Sequence, residues 1–208
     1  MGTTLRLGDT EVTRIGLGTN RLTNTPEHVA FIREAVAAGV NLIDTAHVYT
    51  AGQSEETIGA ALSSGSVDCV VATKGGYSPG EGRPEVLRAQ IEASLHRLRA
   101  DTIELYYLHR VDPETPLEES LGAIKEYVDS GQIRHVGLSQ VGIEQIDRAR
   151  RIVPVKAVQD QHNLADRRFD DVVDYCAREE LVFVPVLPSA GRPRACARRD
   201  RRATRCHS

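Results

Sequence analysis

From residue 15 to residue 187 the chain alternates short apolar runs with longer segments of helical spacing, and this alternation limits the possible folds more than any other feature. The apolar runs cover residues 15–18, 41–44, 68–73, 103–108, 133–138, 155–159 and 181–187. Between them, 26–38, 54–62, 84–98, 117–129, 143–151 and 170–178 carry apolar residues at helical spacing, as in Val86, Leu87, Ile91, Leu95 and Leu98. Local signals mark their ends. Thr25 stands as an N-cap before Pro26, with Gly39 as a stop, and Pro116 opens a helix that ends near Gly131. Strands separated by helices pair in parallel, because a parallel pair needs a long crossover. Before this repeat, 4–7 and 11–13 flank Gly8-Asp9 and predict a β-hairpin.

Two architectures suit seven such strands: an open doubly wound sheet and a (β/α)8 barrel. The dinucleotide fingerprint of the first is incomplete, since Gly16-Leu17-Gly18-Thr19-Asn20-Arg21 lacks its third glycine. Four polar residues favour the second. Asp44, Lys74 and His109 each close or follow a different apolar run, and Tyr49 lies five residues after Asp44. A barrel gathers its active site from the C-terminal ends of successive strands. The expected fold is therefore a (β/α)8 barrel of about six βα units plus a seventh strand, short of the roughly 250 residues of a complete one.

The chemistry of that quartet is readable without a template. The chain has three lysines against twenty-three arginines, so Lys74 is not a routine solubilising charge. At the end of a buried strand its ammonium requires a carboxylate, and Asp44 can supply one. An ammonium beside Tyr49 would stabilise the phenolate and lower the tyrosine pKa from about 10. His109 could polarise a bound carbonyl or relay the proton, so the group makes a general-acid site whose other half-reaction calls for a hydride-donating cofactor. Taken singly, Asp44 could cap a loop, Tyr49 sit on the surface, Lys74 snorkel and His109 fill the core. Asp44, His47 and His109 could also suggest a metal, but no further ligand recurs at suitable spacing, and none is expected.

Composition adds boundaries. With 40% hydrophobic residues, 208 residues can bury one core. No apolar run is long enough to span a bilayer and no secretory leader is visible, so the cytoplasm is the default location. Cys69, Cys176, Cys196 and Cys206 show no paired spacing, so neither a disulfide framework nor a zinc site is expected. Residues 189–208 hold seven arginines and one aspartate, leaving about −9 on residues 1–188 of a chain whose net charge is −3. This tail has almost nothing to bury and lacks the aromatics of a single-strand binder, so neither a nucleic-acid nor a membrane partner is expected.

Residues 1–188 resemble the aldo-keto reductase family, in its short-looped bacterial branch. The resemblance rests on GLGTNRL (16–22), AGVNLIDTAHVYTAGQSEETIGAAL (38–62), VVATKGG (70–76), SLHRLRADTIELYYLHRVDP (94–113), GQIRHVGLSQV (131–141) and VQDQHNLADR (158–167). It implies reduction of an aldehyde or ketone to an alcohol by NADPH, with NADH as the variant. It makes Tyr49 the acid, Asp44 and Lys74 the pair that tunes it, and His109 the residue orienting the carbonyl. It places the nicotinamide against Thr19, Asn20, Asp44, Ser139, Gln140 and Gln159. The family has Asn where Gln140 stands and often Tyr in place of His162.

After Pro188 the similarity stops and 189–208 reads like a frameshifted end, which predicts a truncated domain of weak or absent activity. A non-catalytic role like that of the potassium-channel β-subunits is the alternative. The loops 50–53, 77–83 and 110–115 would line the substrate mouth, with no strong charge preference.

Overall fold

The computed structural model of the chain describes residues 3–63 and 69–186. The hairpin forms as expected: β1 (Thr4–Leu7) and β2 (Thr10–Thr13) pair antiparallel, Thr4 opposite Thr13 and Leu7 opposite Thr10. Seven further strands make one parallel sheet: β3 (Leu17–Gly18), β4 (Leu42–Asp44), β5 (Val70–Gly75), β6 (Ile103–Leu108), β7 (Ile133–Ser139), β8 (Val155–Gln161) and β9 (Val182–Val186). Between successive strands run α1 (Pro26–Ala37), α2 (Gln53–Leu62), α3 (Pro84–Leu98), α4 (Leu117–Asp129), α5 (Ile143–Arg150) and α6 (Asp170–Arg178).

Strand order decides the architecture. A doubly wound sheet reverses its order at a switch point, whereas here each strand neighbours the next in the chain. The sheet is also strongly curled. β4 and β8 stand four strand spacings apart, about 19 Å on a flat sheet, yet Gln159 Nε2 donates to Asp44 Oδ2 at 2.8 Å. The result is an incomplete (β/α)8 barrel with an N-terminal hairpin, in which β3 and β9, among the described residues, are each paired on one side only.

Local chemistry explains the element ends. The Thr25 hydroxyl accepts a bond from His28 N at 3.3 Å and Pro26 occupies the first turn of α1, as the sequence predicts. The first strand of the sheet is shorter than expected. Residues 15–18 were apolar enough for a strand, but the ladder starts only at Leu17, opposite Ile43. Ile15 is 83% exposed and its carbonyl accepts the Thr13 hydroxyl at the corner between hairpin and sheet. Residue 68, residue 187 and the arginine-rich stretch 189–208 with Cys196 and Cys206 lie outside the described residues.

Two apolar cores result. One lies between the sheet and the helices and includes Ile32, Ile91, Leu121, Val136 and Ile146. The other fills the lumen, where Val70, Ala72, Leu105, Tyr107 and Ala157 meet Leu7 and Val12 of the hairpin. The hairpin thus closes the end where strands begin. No helix among the described residues is long and apolar enough to cross a membrane.

Candidate active site

Side chains alternate across a strand, so every second residue faces the lumen. On β5 those positions are Val70, Ala72 and Lys74; on β6 they are Leu105 and Tyr107, continued by His109; on β8 they are Ala157, Gln159 and Gln161. Each series is apolar at the hairpin end and turns polar at the other. The polar ends open on a cleft of about 930 Å³.

Asp44 is the hub. Its Oδ1 accepts Lys74 Nζ at 2.7 Å, its Oδ2 accepts Gln159 Nε2 at 2.8 Å, and its backbone carbonyl accepts Thr19 N and Thr19 Oγ1 at 3.0 and 2.8 Å. Lys74 is fully buried and also donates to the Thr45 carbonyl at 2.6 Å. Burial pulls its pKa down, against the pull of Asp44. It does not line the cleft but sits behind the wall, 5.0 Å from the centre of the Tyr49 ring and 5.9 Å from that of Tyr107.

Tyr49 opens a 3₁₀ turn, Tyr49–Gly52, that leads into α2. Thr50 and Ala51 adopt φ of 48° and 55°, and the Thr50 hydroxyl ties the turn to the Leu22 carbonyl. This strained path presents the phenol to the cleft. Its acidity runs opposite to the expectation from sequence: burial, with Asp44 and then Tyr77 contributing, pushes the Tyr49 pKa up to about 12. The physical reason is the pairing of the cation. Lys74 is neutralised by Asp44 and holds its own proton less tightly than usual, so desolvation of the phenolate wins.

His109 is buried at the end of β6, with its backbone N–H on the Gly75 carbonyl at 2.8 Å. Its ring lies 4.8 Å from that of Tyr77 and 6.1 Å, edge-on, from that of Tyr49. Burial first, then the Lys74 and Arg110 cations, pushes its pKa down to about 3, so it is a neutral imidazole near pH 7. Its buried Nδ1 has no hydrogen-bond partner among the described residues.

The six residues expected at a nicotinamide all border this cleft, in different states. Thr19 is buried and committed, since its hydroxyl also receives Ser54 Oγ at 2.8 Å. Asn20 is exposed. Ser139 and Gln159 are buried at the ends of β7 and β8, and Gln140 follows with φ of 57°. The metal set does not assemble: His47 Nδ1 lies 3.2 Å from the Arg97 guanidinium, and no cluster of three or more His, Cys, Asp or Glu side chains suited to a metal occurs among the described residues.

Several functional supports went unread in the sequence. Glu55 is fully buried, accepting the Thr73 hydroxyl at 2.6 Å and Arg97 at 3.2 Å, and so fixes the residue before Lys74. Ser54 links Thr19 to Thr45. Gly52, at φ 90°, passes so near the Arg97 guanidinium that a side chain there would collide. These contacts are why YTAGQSEE has the form it has; its serine, glutamate and glycine were the signal. Asp160 gave no such signal. It faces away from the lumen, accepts Val141 N at 3.1 Å with Oδ1, leaves a buried Oδ2 unpartnered, and is raised by burial to about 6.

With this geometry in view, similarity to known proteins is informative. The aldo/keto reductase family model matches residues 14–202. The chain belongs to that family. It is 34% identical over 203 residues to an uncharacterized oxidoreductase of Schizosaccharomyces pombe, covering 90% of this chain and 66% of that one. A probable aldo-keto reductase of Glycine max is 34% identical over 194 residues, 86% and 56% of the two chains. A glycerol dehydrogenase of Gluconobacter oxydans superposes with a TM-score of 0.80 at 34% identity, over 88% of this chain and 62% of its own. An aldo-keto reductase from Klebsiella pneumoniae, solved with NADPH, gives 0.81 at 28% identity, over 94% and 72%. The chain thus spans just over half to about two thirds of the curated relatives it matches. The family match extends into residues 189–202, part of the arginine-rich stretch.

Proposed function

We propose that this chain is an NADPH-dependent carbonyl reductase in which Tyr49 is the general acid. The observation that carries the reading is the convergence on Asp44: one carboxylate holds the buried Lys74 and Gln159 while Tyr49 and His109 border the same cleft. The nicotinamide end of the cleft suits such a cofactor. Ser139 and Gln159 present amide and hydroxyl groups at the ends of β7 and β8, which match a carboxamide in kind, with Asn20 and Gln140 at the rim. When bound, the reduced cofactor supplies a hydride to the carbonyl carbon.

The remaining chemistry belongs to the chain. Neutral His109 donates a hydrogen bond to the carbonyl oxygen and orients it. Tyr49 transfers its hydroxyl proton to that oxygen as negative charge develops. A phenol near pKa 12 is still more acidic than the alcohol formed, so the transfer runs downhill. Lys74 and Asp44 act through Tyr49: the ammonium, 5.0 Å from its ring centre, offsets only the part of the phenolate's desolvation cost that its pairing with Asp44 leaves it able to offset. NADPH is favoured over NADH by the nucleotide bound to the Klebsiella relative.

Turnover of an aromatic aldehyde, followed by NADPH absorbance, tests this directly. Tyr49→Phe is expected to lower kcat by about 10²- to 10⁴-fold while leaving NADPH affinity intact. Equal rates in wild type and variant would remove Tyr49 from the chemistry. Absence of both NADPH binding and turnover would favour an inactive truncated domain.

A further inference from the structure

Charge at the lip of the cleft is unbalanced. Arg110 follows His109 directly, and its backbone N–H donates to the Gly76 carbonyl at 3.1 Å. Its guanidinium lies 4.3 Å from the centre of the Tyr77 ring, with Nη2 bonded to the Tyr77 hydroxyl at 3.3 Å. The Tyr77 ring in turn packs on His109 at 4.8 Å. Arginine, tyrosine and histidine thus form one stack from solvent to the buried imidazole. A guanidinium offers five N–H donors, and Tyr77 takes one.

The acidic side chains of the neighbouring loops are engaged elsewhere. Glu81 receives the backbone N–H groups of Tyr77 and Ser78 at 3.0 and 3.1 Å. Asp112 receives Gly80 N, Gly82 N, Glu114 N and the Thr115 hydroxyl, all within 3.0 Å. Glu114 faces Arg83 at 3.4 Å. Of the described residues lining the cleft only Asp44 is acidic, and Lys74 pairs with it. The absence of charge preference expected from the loop sequences is therefore not what the folded loops present, because the carboxylates among them are spent on one another's backbone and on Arg83.

We infer that Arg110, braced on Tyr77, selects carbonyl substrates carrying a carboxylate, held a short spacer away from the aldehyde or ketone that His109 orients. One guanidinium matches the single charge and planar fork of a carboxylate; the other arginine among the described residues that line the cleft, Arg14, lies beside the hairpin, with its backbone N–H on the Thr3 carbonyl at 3.0 Å. The spacer is bounded by the stack, since Tyr77 lies 4.8 Å from the His109 ring and 4.3 Å from the Arg110 guanidinium. A phenyl ring or a few methylenes fill that distance. The inference rests on the carbonyl-reductase reading, which it narrows.

The test compares 4-carboxybenzaldehyde with its neutral methyl ester, methyl 4-formylbenzoate, for wild type and Arg110→Met. The wild type is expected to favour the acid in kcat/KM by roughly five- to tenfold, mainly through KM, and the ratio should fall towards one in the variant and at high salt. Equal treatment of the two compounds by the wild type, or a preference that survives Arg110→Met, overturns the inference. If neither compound is reduced, the carbonyl-reductase reading fails on its own. Ligand-observed NMR with the same two compounds then decides: tighter retention of the acid by wild type alone upholds the anion site, and equal or absent binding of the acid overturns it.

Discussion

The two ends of this barrel are made from the same strands, yet they treat charge in opposite ways. At the hairpin end Leu7 and Val12 plug the lumen, and the charges stand at the rim, where Asp9 meets Arg134 at 2.9 Å in the open. Exposed pairs of this kind contribute little. At the opposite end Lys74, His109 and Gln159 are buried inside the lumen, and each is either tied to Asp44 or shifted in its proton affinity. Apolar packing is concentrated at the hairpin end of the lumen. The candidate site lies where the alternation of lumen-facing residues is continued by groups that a core would normally exclude.

Lys74→Met probes the contrast most severely. It leaves Asp44 without its cation next to a buried wall, and a loss of about 3–5 kcal/mol is expected in denaturant titration. Adding Asp44→Asn should recover part of it, because the uncompensated charge goes too. A loss below about 1 kcal/mol for the single variant would mean that the polar end is not held together by this pair. At the hairpin end, Leu7→Ala should cost about 2–4 kcal/mol from cavity formation, with the ratio of NADPH to NADH affinity the same as in the wild type.

Asp160 gives the smallest effect and sharpens the comparison by pH. Its folded pKa, raised to about 6 from an ordinary 3.8, favours the protonated carboxyl in the folded chain. That contribution to stability is complete below about pH 4 and disappears as pH rises through 6. Asp160→Asn cannot titrate, so wild type minus variant stability should fall by up to about 2 kcal/mol between pH 4 and 7. A flat difference would show that the carboxyl is hydrated in spite of its unpartnered Oδ2.

Much of this was legible beforehand, for identifiable reasons. α3 begins at Pro84, and α4 begins after Pro116 and ends just before Gly131, since those signals act through the local backbone. Lys74 and His109 stood out because a polar group closing an apolar strand has few ordinary explanations. What depended on distant neighbours was hidden. The rise in the Tyr49 pKa follows from how Lys74, Asp44 and burial balance, which no spacing reveals. The use of Gln159 to hold Asp44 depends on curvature across the lumen. Arg110 seemed one charge among several until the loop carboxylates proved to be occupied.

That bond between Gln159 and Asp44 also orders events in time. Its partners are 115 residues apart in the chain, and contacts of such separation form late because a large loop must first be closed. During synthesis Asp44, Tyr49, Lys74 and His109 can all be present before β8 has emerged, with one carboxylate oxygen of Asp44 still waiting for Gln159. The centre is therefore finished by the chain's later portion, and its completion reports that the curled sheet has been assembled through β8.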